Sequence, residues 1–199
     1  VPLEQGGYDT YSGTSMASPH VAGAAALMLE AHPYIRPDYM RFLLQNTADP
    51  ADWWGYPGVG LLEPSFRQGA GMLDIDDAIL ARDEVVILPG KLSLGEGSKG
   101  PTSNYLTIRN FSDEEKVFYL DWYPGISTSG VIEIDGYWIT DEVFEFSSNP
   151  VVVPPGLSKM VKVTVTPPTE GSVPWNTLYG GWITVYEMPN ELAASPEEG

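Results

Sequence analysis

A serine at the expected start of a helix is the residue of this 199-residue chain best suited to covalent chemistry. Ser15 follows Gly13 and precedes an Ala-rich apolar run. Its hydroxyl is therefore expected at the mouth of a helix, with its backbone N–H pointing outward. The positive end of the helix dipole would favour an oxyanion forming beside that hydroxyl. Serine is also a common N-cap residue, so this local pattern alone leaves a purely structural role open.

The run around Ser15 is far more specific than the serine by itself. Residues 13–23 read GTSMASPHVAG, which resembles the nucleophile motif of the subtilisin-like serine proteases (subtilases, peptidase family S8). The resemblance continues through residues 24–33 and a following helix to the GAGMLDI run at 69–75. It implies that Ser15 is the nucleophile, that its N–H forms half of an oxyanion hole, and that Thr14 supports this hole. It also implies that His20 is a structural histidine of the helix.

The partners that a catalytic serine needs are missing from the printed sequence. A serine hydroxyl requires an imidazole to accept its proton, and the imidazole requires a carboxylate to orient it. The two histidines are His20, which would point away from Ser15 in the same helix, and His32, roughly 20 Å further along the helix axis. Subtilases carry their triad in the order Asp, His, Ser, and only residues 1–14 precede Ser15 here. We therefore predict that this chain alone is inactive, and that an upstream segment or partner chain supplies the Asp, the His and the oxyanion-hole Asn.

Three helices are predicted in the first part of the chain, at residues 18–29, 37–45 and 75–81, the last with Asp74 as its N-cap. The first is apolar on every side, which is typical of a helix buried inside a large protein. A unit of this size cannot easily hide such a helix by itself. Either the second part of the chain covers it, or residues 1–83 are the end of a larger domain. The motif at Ser15 favours the larger domain.

The apolar period changes to two after Val85, which indicates short strands at 92–94, 105–108, 116–120, 151–153, 160–165 and 181–185. Short strands at such spacing predict an antiparallel sandwich. The runs NYLTIRNF (104–111), VVVPPGLSK (151–159) and YGGWITV (179–185) resemble the fibronectin-III-like domain of large subtilases, such as cell-envelope proteinases and C5a-peptidase-like enzymes.

The sequence thus predicts the C-terminal helical segment of an α/β subtilase-type catalytic domain at 1–83. An all-β antiparallel fibronectin-III-like sandwich is predicted at 84–189, and an acidic flexible tail at 190–199.

The amino-acid composition disfavours some classes of binding partner. The chain has 27 acidic and 10 basic residues and a formal net charge of −17, so nucleic acid and anionic membranes are poor partners. It contains no cysteine, and no apolar run is long enough to span a bilayer. These properties fit an extracellular or cell-surface enzyme that acts on a protein or peptide substrate.

Candidate metal ligands are few. Asp74, Asp76 and Asp77 lack the glycine and distal glutamate of a calcium loop, and we interpret them as acids favoured at a helix start. No cofactor or metal site is predicted. Subtilases can carry structural calcium, but no ligands for it are identifiable in this sequence.

Aromatic residues offer a further candidate. Trp53, Trp54 and Tyr56 could form a patch that stacks on a sugar or a peptide, but such a cluster more often packs a loop onto its domain. The remaining tryptophans of interest are expected in the core or rim of the sandwich: Trp138, Trp175 and Trp182.

The sequence leaves three possible functions. The first is a serine endopeptidase in which this chain supplies the nucleophile. The second is the same polypeptide after internal cleavage, held as one chain of a two-chain protease. The third is a non-catalytic fragment whose β-sandwich acts as a spacer or substrate-docking module.

Overall fold

The chain folds as helices followed by antiparallel strands. The computed structural model describes residues 6–81, 84–130 and 136–187, and the predicted tail at 190–199 lies outside these ranges. The helices in these ranges are α1 (Thr14–Ala31), α2 (Pro37–Asn46), α3 (Ser65–Gln68) and α4 (Ile75–Leu80). The strands are β1 (Val85–Leu88), β2 (Thr102–Asn110), β3 (Lys116–Pro124), β4 (Ser127–Ser129), β5 (Tyr137–Trp138), β6 (Val143–Phe146), β7 (Val151–Val153), β8 (Ser158–Thr166), β9 (Thr177–Leu178) and β10 (Gly181–Glu187).

All three predicted helices are present. α2 begins at Pro37, where the ring presets a helical φ and the missing N–H is not needed. α4 is capped as predicted, because the Asp74 carboxylate accepts a hydrogen bond of 3.0 Å from the Asp77 N–H. α1 starts earlier than predicted, at Thr14, so Pro19 lies inside the helix and not at its first turn. α3 was not predicted, because four residues are too few for an apolar period to be visible.

The helices share one apolar core, but α1 contributes little to it. On α2, Leu43 is fully buried, whereas Tyr39 and Phe42 are half-buried against the same core. α1 buries Ala24 and Met28 only, and most of its other side chains are exposed. The described residues of the second part of the chain therefore leave most of α1 uncovered. The buried members of this helical core are Ala24, Met28, Ile35, Met40, Leu43, Leu44, Ala78 and Val86.

β1 joins the helices to the strands by packing on both sides. Successive side chains of a strand point to opposite faces. In β1, Val86 and Leu88 pack in the helical core, whereas Val85 and Ile87 pack against the core of the strands. The two cores are thus built on opposite faces of one strand.

The strands form two antiparallel sheets that face each other across an apolar core. Their orders are β1-β2-β8-β6 and β10-β3-β7, and a third, small sheet has the order β5-β4-β9. The registers pair Leu106 with Val161 between β2 and β8, and Ile183 with Trp122 between β10 and β3. The buried members of this core come from β2, β3, β7 and β8: Leu106, Ile108, Phe118, Leu120, Val151, Val153, Val161, Val163 and Val165. The predicted β-rich antiparallel architecture is confirmed.

One predicted strand is wrong. Residues 92–94 pair with no other strand among the described residues. Leu92 and Leu94 nevertheless pack half-buried against the sandwich core, while Ser93 is exposed. The alternation therefore reports one-sided burial of an extended segment, which does not require a hydrogen-bonded neighbour.

Hydrogen bonds hold the helical part against the strands. The Trp182 indole N–H donates to the Ala70 carbonyl at 2.9 Å, and the Tyr123 hydroxyl donates to the Gly60 carbonyl at 2.9 Å. Trp182 and Trp138 are half-buried, as expected for sandwich tryptophans. Trp175 is 97% exposed, so its predicted packing is wrong, because it lies in the turn before β9 and outside both large sheets.

The burial of Leu43 in the helical core predicts how strongly its truncation destabilises the chain. Replacing the fully buried Leu43 by alanine should lower the free energy of unfolding by about 2–5 kcal/mol, since it removes apolar contacts and leaves a cavity. The matched control is Leu80→Ala on α4, where the side chain is 71% exposed and the change should be about 0.5 kcal/mol or less. Urea unfolding measures both. Equal losses of unfolding free energy in Leu43→Ala and Leu80→Ala would contradict the burial of Leu43 in the helical core.

Candidate active site

Ser15 is the second residue of α1, and its side chain is exposed. Gly13 is the N-cap, and its carbonyl accepts hydrogen bonds from the N–H groups of Met16 and Ala17, each at 3.0 Å. The first two N–H groups of the helix, those of Thr14 and Ser15, have no acceptor within a helix by geometry. The interpretation of Ser15 as the N-cap is therefore wrong. Its hydroxyl and its N–H both lie at the positive end of the helix dipole.

Gly13 and Pro19 shape the backbone around Ser15. Gly13 has a φ of +141°, a backbone conformation that residues with a side chain rarely adopt. A Cβ placed at this position would meet no atom within 4 Å. Backbone conformation, and not lack of space, therefore selects glycine. Pro19 comes four residues after Ser15 and has no N–H, so the Ser15 carbonyl cannot accept the usual helical bond. The spacing of four residues between Ser15 and Pro19 is the signal in the sequence from which this effect could be predicted.

Both histidines bind backbone carbonyls. His20 Nδ1 lies 2.6 Å from the Met16 carbonyl oxygen, one turn earlier in the same helix. His32 Nε2 lies 2.9 Å from the Ile79 carbonyl oxygen and so ties the end of α1 to α4. Among the hydrogen bonds of the described residues, neither ring reaches Ser15.

Apolar side chains of α1 are exposed on more than one of its faces. Val21, Leu27 and Leu29 each remain 45–47% exposed. Gly23 lies on the same helix, and a Cβ built on it would meet no atom within 4 Å. A shallow groove runs beside it, lined by Pro19, His20, Gly23, Ala24, Leu27 and Ile75. Soluble proteins rarely leave a large contiguous apolar surface exposed without a binding role.

The other candidates have structural roles. Asp74 caps α4, and Asp76 and Asp77 occupy its first turn, as the helix-start interpretation predicts. Within residues 6–81, 84–130 and 136–187, no three His, Cys, Asp or Glu side chains are grouped to hold a metal ion. None of the helices in those ranges combines the length and the hydropathy that crossing a bilayer requires.

The aromatic loop packs as the sequence analysis favoured. The Trp53 ring lies 5.4 Å from the Tyr56 ring and 5.0 Å from the Tyr137 ring of β5, measured between centroids. Trp53 thus fixes the loop to the strands, whereas the side chains of Trp54 and Tyr56 remain exposed.

Comparison with known proteins covers both parts of the chain. Residues 2–71 match the Subtilase family, and residues 92–192 match an Fn3-like domain. Minor extracellular protease Vpr of Bacillus subtilis is 34% identical over 135 residues, which are 64% of this chain and 16% of Vpr. Fervidolysin of Fervidobacterium pennivorans is 53% identical over 49 residues, 24% of this chain and 7% of fervidolysin. Subtilisin of Bacillus pumilus is 48% identical over 76 residues, 38% of this chain and 24% of that subtilisin.

The chain therefore spans about a quarter or less of each of these relatives. The Vpr match is longer than the 70-residue subtilisin-like stretch, and the antiparallel strands agree with the Fn3-like match. The chain therefore consists of a segment that matches the Subtilase family, at residues 2–71, followed by an Fn3-like domain at residues 92–192.

Proposed function

We propose that this chain supplies the nucleophile of a subtilisin-like serine endopeptidase. One observation carries the proposal: the GTSMASPHVAG motif is folded at the start of α1 with Ser15 exposed in its first turn. The relatives support the class of reaction, since they are named as subtilisins and as an extracellular protease.

The chemistry is acyl transfer in two steps. The Ser15 Oγ attacks the carbonyl carbon of the scissile peptide bond, and its proton passes to an imidazole and then to the leaving amine. Water attacks the acyl-enzyme in the second step and releases the serine. The Ser15 N–H donates to the oxyanion in both steps, and Thr14 supports this side of the hole.

The acid–base partners come from outside the residues described here. His20 and His32 each contact a backbone carbonyl, so neither serves as the base for Ser15. The imidazole, its orienting carboxylate and the oxyanion-hole asparagine belong to a preceding segment or to a second chain of a cleaved protease. The exposed apolar side of α1 is the surface on which that segment packs.

The net charge of the chain and the proposed acyl-transfer reaction indicate where the protein acts and on which class of substrate. A net charge of −17 suits an extracellular or cell-surface protein and disfavours nucleic acid. The substrate is a protein or peptide, whose carbonyl carbon Ser15 attacks.

Reconstitution tests the proposal. Hydrolysis of a chromogenic peptide is measured for this chain alone and for this chain assembled with the preceding subtilase segment. The chain alone should show no activity above background, and the assembly should hydrolyse the peptide. Activity of the chain alone would show that its catalytic partners had been misassigned. A folded but inactive assembly would favour the third function, a β-sandwich that acts as a spacer or docking module.

A further inference from the structure

The loop at residues 52–62 presents large aromatic side chains to solvent. Trp54 and Tyr56 are 66% and 65% exposed, whereas tryptophan in particular is on average highly buried in folded proteins. Burial alternates at the start of the loop, since Asp52 is exposed, Trp53 is half-buried and Trp54 is exposed. Successive side chains of an extended segment point to opposite sides, so Asp52 and Trp54 share the outward side.

The backbone of this loop is fixed by its own contacts. The Trp53 N–H donates to the Leu61 carbonyl at 2.7 Å, and the Gly58 N–H donates to the Asp52 Oδ2 at 2.9 Å. A Cβ at Gly55 would meet the Trp53 ring at 2.8 Å, so the chain crosses this ring at close range. A ligand would therefore bind to side chains on an ordered backbone, which lowers the entropy cost of binding.

The exposed rings lie around Trp53. The centroid of its ring is 5.4 Å from that of Tyr56 and 5.0 Å from that of Tyr137, which is 38% exposed on β5. Trp54 is the next residue in the chain. We call Trp54, Tyr56 and Tyr137 the aromatic platform. It is built from both parts of the chain, since the loop lies in the subtilase match and β5 lies in the Fn3-like match.

The chain segments around the platform carry negative charge and almost no positive charge. Residues 42–66, 117–158 and 163–199 contain no lysine, arginine or histidine. They supply the loop itself and the strands β4, β5, β9 and β10. Arg67 follows the loop, but its Nη1 lies 3.0 Å from the Glu63 Oε1, so its charge is compensated. The electrostatic potential at the platform is therefore negative.

We propose that the aromatic platform binds lysine- and arginine-rich segments of the protein substrate. This inference rests on the proposed endopeptidase function, which makes a polypeptide the substrate. The faces of tryptophan and tyrosine rings attract cations, and the Asp52 carboxylate, on the same side as Trp54, pairs with the same charge. A basic segment held on the platform stays tethered to the enzyme while Ser15 attacks another part of the same polypeptide.

Charge favours this ligand over others that stack on aromatic rings. A second copy of this chain carries a net charge of −17 and is repelled. A neutral polysaccharide gains nothing from the negative potential, whereas a basic polypeptide does.

Calorimetric titration of the full chain with a peptide of alternating lysine and glycine tests the platform without catalysis. Trp54→Leu keeps an apolar side chain but loses the ring, so the Kd should rise about fivefold. Trp54→Phe keeps an aromatic face and should raise the Kd about twofold or less. The control is Tyr34→Leu, at a 96% exposed position between α1 and α2, which should leave the Kd unchanged.

The contribution of charge is measured with the same peptide. Asp52→Asn keeps an oxygen that can accept the Gly58 N–H but removes the negative charge, so the Kd should rise about threefold. Asp113→Asn removes an equal charge from the exposed turn between β2 and β3 and should have no effect. A peptide of alternating glutamate and glycine should not bind.

Two results of these titrations would overturn the proposal. An equal Kd for the lysine peptide in Trp54→Leu and in the wild type would show that the platform is not its binding site. Binding of a neutral chitin oligosaccharide that is lost in Trp54→Leu, without binding of the lysine peptide, would show that the platform binds carbohydrate instead.

Kinetics of the assembly with the preceding segment test whether the ligand is the substrate. For an unfolded lysine-rich polypeptide, the KM should be about fivefold higher in Trp54→Leu than in the wild type, with an equal kcat. The KM for a short chromogenic peptide should be the same in both. Equal KM values for the lysine-rich polypeptide would overturn the platform alone. A wild-type assembly that hydrolyses neither substrate would overturn the endopeptidase function, and with it the substrate as ligand.

Discussion

Replacing Ser15 by alanine should lower the kcat of the assembled protease by about 10⁶-fold, the size of the effect in subtilisin itself, a relative of this chain. The substitution removes the oxygen that forms the acyl-enzyme but leaves the helix and its N–H groups in place. The side chain is exposed, so the free energy of unfolding should change by about 0.5 kcal/mol or less. Steady-state hydrolysis of a peptide substrate measures the first effect, and urea unfolding measures the second.

Ser18→Ala is the matched control for Ser15→Ala. Ser18 is also exposed and lies on the same helix within the same motif. It has no role in the proposed chemistry, so its loss should change kcat less than about tenfold. If Ser15→Ala retained activity within tenfold of the wild type while staying folded, another group would have to be the nucleophile.

Replacing Gly23 by leucine should have opposite effects on the isolated chain and on the assembly. In the isolated chain, a side chain at Gly23 meets open space, and glycine is a poor helix former. The free energy of unfolding should therefore rise by roughly 0.5–1 kcal/mol. In the assembly, the preceding segment packs against this side of α1 at close range. A leucine there would overpack the contact by about 1–3 kcal/mol, which weakens the affinity for that segment roughly 5- to 150-fold.

Urea unfolding of the isolated chain and titration with the preceding segment measure the two effects. Lys162→Leu is the control, because it adds a leucine at an exposed position on β8, away from α1. It should leave the affinity for the preceding segment unchanged. An affinity that is the same in Gly23→Leu and in the wild type would contradict the proposal that α1 is covered by that segment.

Local signals in the sequence were sufficient to predict the capped helices and most of the strands. Pro37 at the first position of α2 and Asp74 before α4 are short-range effects, and both act as the sequence predicts. The strand segments from 105 onward lie within β2, β3, β7, β8 and β10, because their alternating residues do face a shared core.

Features that depend on distant parts of the chain were not predictable in the same way. Leu92 and Leu94 have the period of a strand but find only a core to pack against, with no neighbouring strand in the described residues. β1 packs against a core on each of its faces, and this follows only from the helices and the sandwich meeting across it. The neighbours of the two glutamates do not predict their burial either, since Glu142 is buried between Asp141 and Val143, whereas Glu145 is exposed between two phenylalanines.

Only part of the candidate site could be predicted, because some of its features also depend on residues outside the local sequence pattern. The motif around Ser15 is continuous in the sequence, so the residues at the start of α1 could be named in advance. The early start of α1 depends on the positive φ of Gly13, which the apolar period beginning at residue 18 does not reveal. The exposure of α1 became visible only when the packing of the second part of the chain was known.

The most direct test of Ser15 as the nucleophile is the intact mass of this chain after reaction with a fluorophosphonate. The measurement is made on the chain alone and on its assembly with the preceding segment. We expect a single adduct on Ser15 in the assembly and none on the chain alone, since Ser15 lacks its base there. An adduct on a different residue, or an assembly that hydrolyses peptides while Ser15 stays unmodified, would contradict it.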